Sequence, residues 1–215
     1  MKLSRSATLA LLLVATALFP AGCIFSPDQG GPPPPPDFWA DTSPENVIHN
    51  IAACYIARST VRYEEVLATG YVFRFLRADI TTGDPDSLTR PEEMNFAEHL
   101  FDSGKPEQSL LPATKISLRT VITSHDADAR FGHAGWMKYV VETDMTLDFA
   151  NGDKQTIAAP ALWYFRQQPD SSGHWKLAEW EDQPSGSSGA PSRNDSKAAA
   201  SGSSTTWAAL RSRYR

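Results

Sequence analysis

Residues 137–165 read MKYVVETDMTLDFANGDKQTIAAPALWYF, and the alternation of their side chains decides the fold class. Every second residue of the first half is apolar or threonine, which is typical of the buried face of a strand. These residues are Met137, Tyr139, Val141, Thr143, Met145, Leu147 and Phe149. Asn151-Gly152 is a strong hairpin signal, and the returning strand alternates through Ile157, Ala159, Ala161, Trp163 and Phe165. The stretch therefore predicts two long antiparallel strands that bury one face.

Three helices are predicted before this hairpin. Ser43-Pro44-Glu45 is typical of a helix start, because a capping residue precedes a proline and an acid in the first turn. That helix should run over roughly 44–58, and a second from Val61 to Ala68, closed by Gly70. Thr89-Arg90-Pro91-Glu92 has the pattern of a capping box and starts the third helix.

Further strands are predicted on both sides of the third helix. Aromatic residues alternate at Tyr71, Phe73 and Phe75, as on one face of a strand. Residues 116–122 alternate in the same way, and 175–180 form the last strand. The order of elements predicts an α+β fold in which three N-terminal helices pack on a curved antiparallel sheet.

The N-terminus has the features of a secretory signal. Lys2 and Arg5 precede the apolar stretch 7–19, which is shorter than the about 20 residues of a membrane span. Residues 1–22 are therefore expected to be a signal peptide. Ala21-Gly22-Cys23 resembles the bacterial lipobox, in which the cysteine becomes lipidated, although Pro20 stands where that pattern favours leucine. The alternative is an ordinary signal that leaves Cys23 as a free thiol.

Residues 23–42 are expected to form a proline-rich membrane tether. Five consecutive prolines, 32–36, favour an extended polyproline II spacer, and the alternative is a docking ligand for a partner. Ile24 follows Cys23, where an aspartate would mark inner-membrane retention in Gram-negative lipoproteins. We therefore expect the protein in the cell envelope, anchored to the outer membrane and facing the periplasm.

The C-terminal region divides into a linker and a short helix. Residues 184–204 are rich in Gly, Ser and Ala and are expected to be a flexible linker after a domain over 43–183. In 205–215, Trp207, Leu210 and Tyr214 share one helical face, while Arg211, Arg213 and Arg215 are basic. The helix is expected to dock on the domain; the alternative is a basic tail at an anionic lipid surface.

Charge and cysteine content exclude several classes of function. With 20 Lys and Arg against 25 Asp and Glu, the net charge of −5 lacks the basic footprint of a nucleic-acid binder. Two cysteines exclude a disulfide-rich scaffold and a multi-cysteine zinc site. Cys54 is expected to be a small buried hydrophobe on the first helix. No cofactor or metal is expected.

Several short motifs occur in the predicted order of elements. They are Ser43-Pro44-Glu45-Asn46-Val47, Tyr55, Tyr63-Glu64-Glu65-Val66-Leu67, Tyr71-Val72-Phe73-Arg74-Phe75, Trp175-Lys176-Leu177-Ala178-Glu179-Trp180 and Trp207-Ala208-Ala209-Leu210. Together they resemble the nuclear transport factor 2-like, or SnoaL-like, superfamily, and more closely bacterial lipoproteins that carry such a domain. The resemblance implies a cone-shaped fold, in which a curved sheet wraps a long helix and leaves a pocket open at one end. The superfamily includes isomerases, dehydratases, polyketide cyclases and members that only bind or associate, so the fold alone does not define the function.

Aromatic residues are the main candidates for a ligand pocket. Those expected to point inward are Tyr55, Phe73, Phe75, Tyr139, Trp163 and Phe165; the alternative is that they are ordinary core. Ketosteroid-isomerising relatives use a carboxylate base and a tyrosine, but no base aligns here. Asp144 belongs to a run of acids typical of a solvated face, and Glu179 is expected to be exposed or paired with arginine. His125 to Asp128 with His133 matches no metal-ligand spacing and indicates a polar turn.

The sequence therefore predicts a lipid-anchored extracytoplasmic protein whose domain binds a small apolar ligand or a protein partner, with no catalysis assumed. A pocket enzyme of isomerase or dehydratase type and a purely structural envelope lipoprotein are the alternatives. A homodimer is left open, and no nucleic acid is expected as a partner.

Replacing the predicted lipidation site tests the anchor. In the Cys23→Ser variant, the protein should lose the mass of its acyl chains, because only the cysteine thiol accepts the diacylglyceryl group. Mass spectrometry of the protein extracted from its own membranes measures this difference. Equal acylation of the wild type and the variant would refute lipidation at Cys23.

Overall fold

The computed structural model describes residues 36–76, 85–168, 173–183 and 203–215. The predictions of a signal peptide, of lipidation at Cys23, of most of the tether and of nearly all of the linker concern residues outside these ranges. No helix in the described ranges is both long and apolar enough to span a membrane.

In the described ranges, three α-helices precede the long hairpin, and a fourth follows it near the C-terminus. They are α1 (Pro44–Ala57), α2 (Thr60–Val66), α3 (Arg90–Glu98) and α4 (Trp207–Tyr214). The Ser43 hydroxyl caps α1 by accepting a hydrogen bond from the Asn46 amide at 3.3 Å. Thr89 and Glu92 form the predicted capping box, with the Glu92 carboxylate accepting from the Thr89 amide at 2.8 Å. A π-helical turn, His99–Ser103, extends α3.

The strands form one sheet. They are β1 (Leu67–Arg74), β2 (Ser87–Thr89), β3 (Ala113–Ala127), β4 (Met137–Phe149), β5 (Lys154–Gln167), β6 (Trp175–Asp182) and β7 (Ser203–Ser204). Their order is β2-β1-β6-β5-β4-β3, and β7 pairs with β5. The predicted α+β class is confirmed. The sheet is mixed rather than wholly antiparallel, because β1 runs parallel to β6 and β7 parallel to β5. The segments between these paired strands are long, so no hairpin constrains their relative direction.

The hairpin of β4 and β5 follows the predicted register. Tyr139 pairs with Trp163 and Met145 with Ile157, and Gly152 has the positive φ of 87° that the turn requires. The predicted inner face of β4 is buried from Tyr139 onwards. This face, together with those of β1 and β6, packs against the helices and forms the core.

The prediction that Gly70 closes the second helix is wrong. The helix α2 ends at Val66, and β1 begins directly at Leu67, so Gly70 lies inside the strand. The pairing of β1 with β6 shifts register between Leu67 and Val72, which marks an irregularity around this glycine. Leu67 and Ala68 are buried as strand residues, and this packing outweighs the glycine stop signal.

The segment that leads into the domain is tied to two elements. Asn50 on α1 accepts a hydrogen bond from the Trp39 amide and donates one to the Trp39 carbonyl, both at 2.8 Å. Asp41 forms an ion pair with Lys176 of β6 at 2.6 Å, and its carbonyl accepts from the Trp175 amide at 2.7 Å. Residues 39–41 are thereby attached to both layers of the domain.

Gly104 sets the direction of the chain between α3 and β3. Its φ is +63°, and a Cβ added there would lie 2.4 Å from the Leu110 carbonyl oxygen. Gly104→Ala should therefore lower the free energy of unfolding by about 2–3 kcal/mol, measured by urea denaturation. In Gly70→Ala the new Cβ would lie 3.6 Å from its nearest neighbour, so this control should stay within about 1 kcal/mol of wild type. Equal losses in the two variants would contradict the prediction.

Candidate functional site

All six predicted pocket residues are buried. Tyr55 lies on α1, Phe73 on β1, Tyr139 on β4, and Trp163 and Phe165 on β5; Phe75 follows the end of β1. The structure brings some of them together, since Phe73 contacts Phe75 edge-on at 5.1 Å between ring centroids. None of the six lines the surface grooves found in the described part of the chain.

The helix α4 lies in the interior of the domain, where it contacts two of these six residues, Tyr55 and Phe73. Trp207, Leu210, Arg211 and Tyr214 are all buried on its inner face. The Trp207 ring lies 4.8 Å from that of Trp180 and 5.9 Å from that of Tyr55. Its indole N–H donates to the Thr143 hydroxyl at 2.8 Å. The C-terminal helix is therefore part of the core.

An ion pair lies at the centre of this interior. The Arg211 guanidinium donates two hydrogen bonds to the Glu93 carboxylate of α3, from Nε to Oε2 and from Nη2 to Oε1, both at 2.8 Å. Both side chains have 0% of their surface exposed. The Tyr63 hydroxyl of α2 donates to the same Oε1 at 2.7 Å. This bidentate geometry is the strongest arrangement for an arginine and a carboxylate.

Aromatic rings surround the guanidinium. Its central carbon lies 3.9 Å from the ring centroid of Phe73, 4.5 Å from Trp180, 4.9 Å from Phe96 and 5.0 Å from Trp207. Each ring is within the about 6 Å at which cation–π attraction acts, and the burial of the guanidinium strengthens that attraction. The cation is thus held by one carboxylate and by ring faces.

The environment stabilises the charged form of Arg211. Burial alone would lower its pKa, but the Glu93 carboxylate beside it holds the pKa well above its usual value. Burial also raises the pKa values of the Tyr63 and Tyr71 hydroxyls well above the ordinary value, with the negative charge of Glu93 adding to the effect. These phenols therefore stay protonated and act as hydrogen-bond donors or acceptors.

Several polar atoms around the ion pair make no hydrogen bond of normal length. They are Nη1 of Arg211, the hydroxyls of Tyr55 and Tyr71, and the indole N–H of Trp180. Buried polar atoms of this kind are uncommon, because each carries a desolvation cost. The Tyr71 hydroxyl nevertheless interacts with the Arg211 side chain, and the Tyr55 hydroxyl interacts with Tyr63.

Both ends of α4 are attached to the domain. At the start, the Thr205 amide donates to the Thr156 carbonyl of β5 at 3.0 Å, and the Thr206 hydroxyl caps the helix by accepting from the Ala209 amide at 3.0 Å. At the end, the carbonyl of Tyr214 lies 2.6 Å from His99 Nδ1, and Lys105 donates to the Arg215 carbonyl at 2.6 Å. The Tyr214 hydroxyl donates to the Leu111 carbonyl at 2.7 Å. These contacts fix the helix along its whole length.

Tyr139 and Phe165 form a separate aromatic contact. Their rings meet edge-on at 5.4 Å, and the other face of Tyr139 stacks on His125. The Tyr139 hydroxyl donates to the carboxylate of Glu45 at the start of α1. Burial raises the pKa of Tyr139, and the hydrogen bond to Glu45 raises it further. Tyr139 thus ties β4 to α1.

The predicted polar turn near His133 is a charged cluster. Asp128 pairs with Arg130 and with His133, whose Nδ1 lies 2.5 Å from the carboxylate. Arg130 also pairs with Glu179 at 2.8 Å, and Arg74 pairs with Glu179 at 3.0 Å. Within the described ranges, no group of three or more His, Cys, Asp or Glu side chains is placed to hold a metal ion.

Cys54 lies fully buried on α1. Burial raises the pKa of its thiol to about 12, so the reactive thiolate is suppressed.

The two charged residues at the centre were not among the predicted site residues. The sequence places Arg211 among the basic residues in the last turn of a helix expected to dock on the domain, and no pattern in the sequence indicates a role for Glu93. A signal was nevertheless present, because Trp207, Leu210, Arg211 and Tyr214 follow the i, i+3, i+4, i+7 spacing of one helical face. Arg211 therefore does not belong to an exposed basic surface.

Comparison with known proteins gives only distant structural likenesses. No protein-family model and no curated protein match the chain. A conserved protein from Planctomyces limnophilus is similar over 64% of this chain and 90% of its own, with 12% identity and a TM-score of 0.48. A hexachlorocyclohexane dehydrochlorinase from Novosphingobium barchaimii is similar over 65% and 82%, with 10% identity and a TM-score of 0.42.

A third likeness is to a domain of unknown function with a cystatin-like fold from Nostoc punctiforme. It covers 64% of this chain and 72% of that domain, with 10% identity and a TM-score of 0.42. At such low identity and TM-score, these likenesses do not indicate what this chain binds or catalyses.

The buried ion pair should show strong energetic coupling. Arg211→Met leaves the Glu93 carboxylate buried without its counter-charge and should cost about 3–5 kcal/mol of unfolding free energy. The double variant Glu93→Gln/Arg211→Met should lose less than the sum of the two single losses, by about 2 kcal/mol or more. Denaturant unfolding of the four proteins measures the coupling.

The control is the exposed pair of Arg62 and Glu65, whose atoms also approach to 2.8 Å. Because solvent screens that pair, its coupling should be below about 1 kcal/mol. Equal coupling in the two pairs would contradict the structural role assigned to Arg211 and Glu93.

Proposed function

We propose that the protein is a lipid-anchored, extracytoplasmic member of the nuclear transport factor 2-like superfamily that acts as a binding module. Its interior receives a helical protein segment, and α4 of its own chain is the segment bound there. The lipobox-like Ala21-Gly22-Cys23 and the proline run support attachment to an envelope membrane. The residue after Cys23 favours the outer membrane.

The single observation that carries this proposal is the burial of one face of α4 in the aromatic interior. Four large side chains of an eight-residue helix are almost fully enclosed, and they contact α1, α3 and the sheet. A groove that receives anchors spaced at i, i+3, i+4 and i+7 is the usual form of helix recognition by a protein. A protein segment therefore suits this interior better than a small apolar molecule.

A pocket enzyme is the second candidate. A carboxylate that lies among aromatic rings, as Glu93 does beside Tyr63, is the type of group that general acid–base chemistry uses. In the described structure, however, Arg211 neutralises Glu93, and α4 closes the interior. Catalysis would first require removal of α4, so binding is the function that this geometry supports best.

Exchange of the bound helix tests the binding function. A protease site placed within 184–202 allows the folded, full-length chain to be cut, after which α4 is held only by its contacts. A fluorescent peptide with the sequence of 203–215 should then replace the cut segment, because all of its buried contacts can be remade. Fluorescence anisotropy measures the exchange.

Matched peptides show whether the buried face is responsible. Trp207→Ala should weaken binding at least tenfold, because Trp207 is enclosed, whereas Arg213→Ala should leave binding unchanged, because Arg213 is exposed. Failure of the peptide to enter the nicked protein, or equal binding of all three peptides, would overturn the proposed function.

A further inference from the structure

Most of the groups that surround the Arg211 guanidinium belong to the domain outside α4. The carboxylate comes from Glu93 on α3, and Tyr63 on α2 donates to it. The ring faces come from Phe73 on β1, Phe96 on α3 and Trp180 on β6. Only Trp207, the fourth ring, belongs to α4 itself. The recognition elements for the cation are therefore supplied almost entirely by the domain.

We propose that this interior is a guanidinium-binding site, in which Arg211 is the resident occupant that another guanidinium can replace. The inference rests on the proposed function, since it names the chemical group by which the same interior recognises its ligand. The guanidinium can come from an arginine on a protein segment or from a free compound that carries the group on an apolar body.

The geometry favours guanidinium over ammonium. Two parallel N–H···O bonds of 2.8 Å join Arg211 to Glu93, and only a planar cation with a fork of donors forms both at once. The ring centroids lie at 3.9–5.0 Å from the central carbon, so the flat cation is bounded by aromatic surface. A lysine ammonium is compact and strongly hydrated, so it would lose more hydration free energy than a guanidinium on entering this buried site.

The unpaired atoms around the cation are a second, independent observation. Nη1 of Arg211 and the hydroxyl of Tyr71 are both buried, and neither makes a hydrogen bond of normal length. The backbone of α4 fixes where the guanidinium of Arg211 lies. The Tyr71 hydroxyl interacts with the Arg211 side chain at more than normal hydrogen-bond length. A guanidinium without the restraint of the α4 backbone can approach that hydroxyl oxygen more closely and donate to it.

Chemical rescue in the full-length chain tests the inference. Arg211→Ala removes the guanidinium and leaves Glu93 and the three rings of the domain in place. Ethylguanidinium should raise the Tm of this variant by about 3 °C or more at a concentration near ten times its Kd. Ethylammonium at the same concentration should raise it by less than a third as much. In Arg213→Ala, where the arginine is exposed, neither compound should change Tm.

If Arg211→Ala is unfolded without added ligand, recovery of its folded structure is measured in place of Tm. In that case, ethylguanidinium should restore the near-UV circular dichroism of the buried tryptophans and ethylammonium should not. Selective rescue by ethylguanidinium supports the inference in either form of the experiment. Equal rescue by both compounds, or rescue by neither, overturns it.

A second variant tests the selectivity of the site for guanidinium over ammonium without added ligand. Arg211→Lys keeps a positive charge but loses the fork, so the folding equilibrium constant should fall at least tenfold. Arg213→Lys is the control and should change it less than twofold. A lysine at position 211 that folds as well as arginine would overturn guanidinium selectivity.

Failure of guanidinium selectivity can be distinguished from failure of the proposed helix-binding function. The peptide exchange reports whether the interior accepts a helix supplied by another molecule, whereas rescue and the lysine variant report which cation the interior selects. Exchange that works equally well with an Arg211→Lys peptide would leave helix binding intact and overturn guanidinium selectivity. Rescue by ethylguanidinium together with failed exchange would identify a free guanidinium compound as the ligand.

Discussion

The structure depends on neutralising one carboxylate that is fully buried in the interior. Glu93 points from α3 into a space walled by aromatic rings, where an unpaired charge would cost several kcal/mol. Arg211 supplies the counter-charge, and it can do so only when α4 lies in the interior. The position of the C-terminal helix is therefore coupled to the electrostatics of the core. Replacing a buried ion pair by apolar groups of similar volume often preserves the free energy of unfolding. The main role of the Arg211–Glu93 pair is therefore to fix the position of α4.

The aromatic rings link this pair to the rest of the domain. Trp180 contacts Trp207 on α4 and Trp163 on β5, at 4.8 and 4.5 Å. Phe73 contacts both the guanidinium and Trp180. A change of occupant in the interior would therefore reach β1, β5 and β6 through side chains in direct contact. The charged cluster around Glu179 lies on the same strands and would report such a change at the surface.

Local patterns in the sequence predicted much of the fold. Alternation along residues 137–165, the Asn151-Gly152 turn and the caps at Ser43 and Thr89 act over a few residues, and each predicted element is present. Gly70 does not end the second helix as predicted, because burial of the neighbouring residues in β1 outweighs the tendency of glycine to end a helix. The Arg211–Glu93 pair spans 118 residues, so no local pattern could reveal it. In the sequence, the pair is indicated only by one charged residue, Arg211, on the apolar face of the C-terminal helix.

The attachment of residues 39–41 has a mechanical consequence. A tensile force that arrives at the N-terminal end of the domain first loads the hydrogen bonds of Asn50 and the ion pair of Asp41 with Lys176. These bonds join the incoming chain to α1 and to β6, which has strand neighbours on both sides in the sheet. The load is thus shared between two layers, and no edge strand is peeled away first.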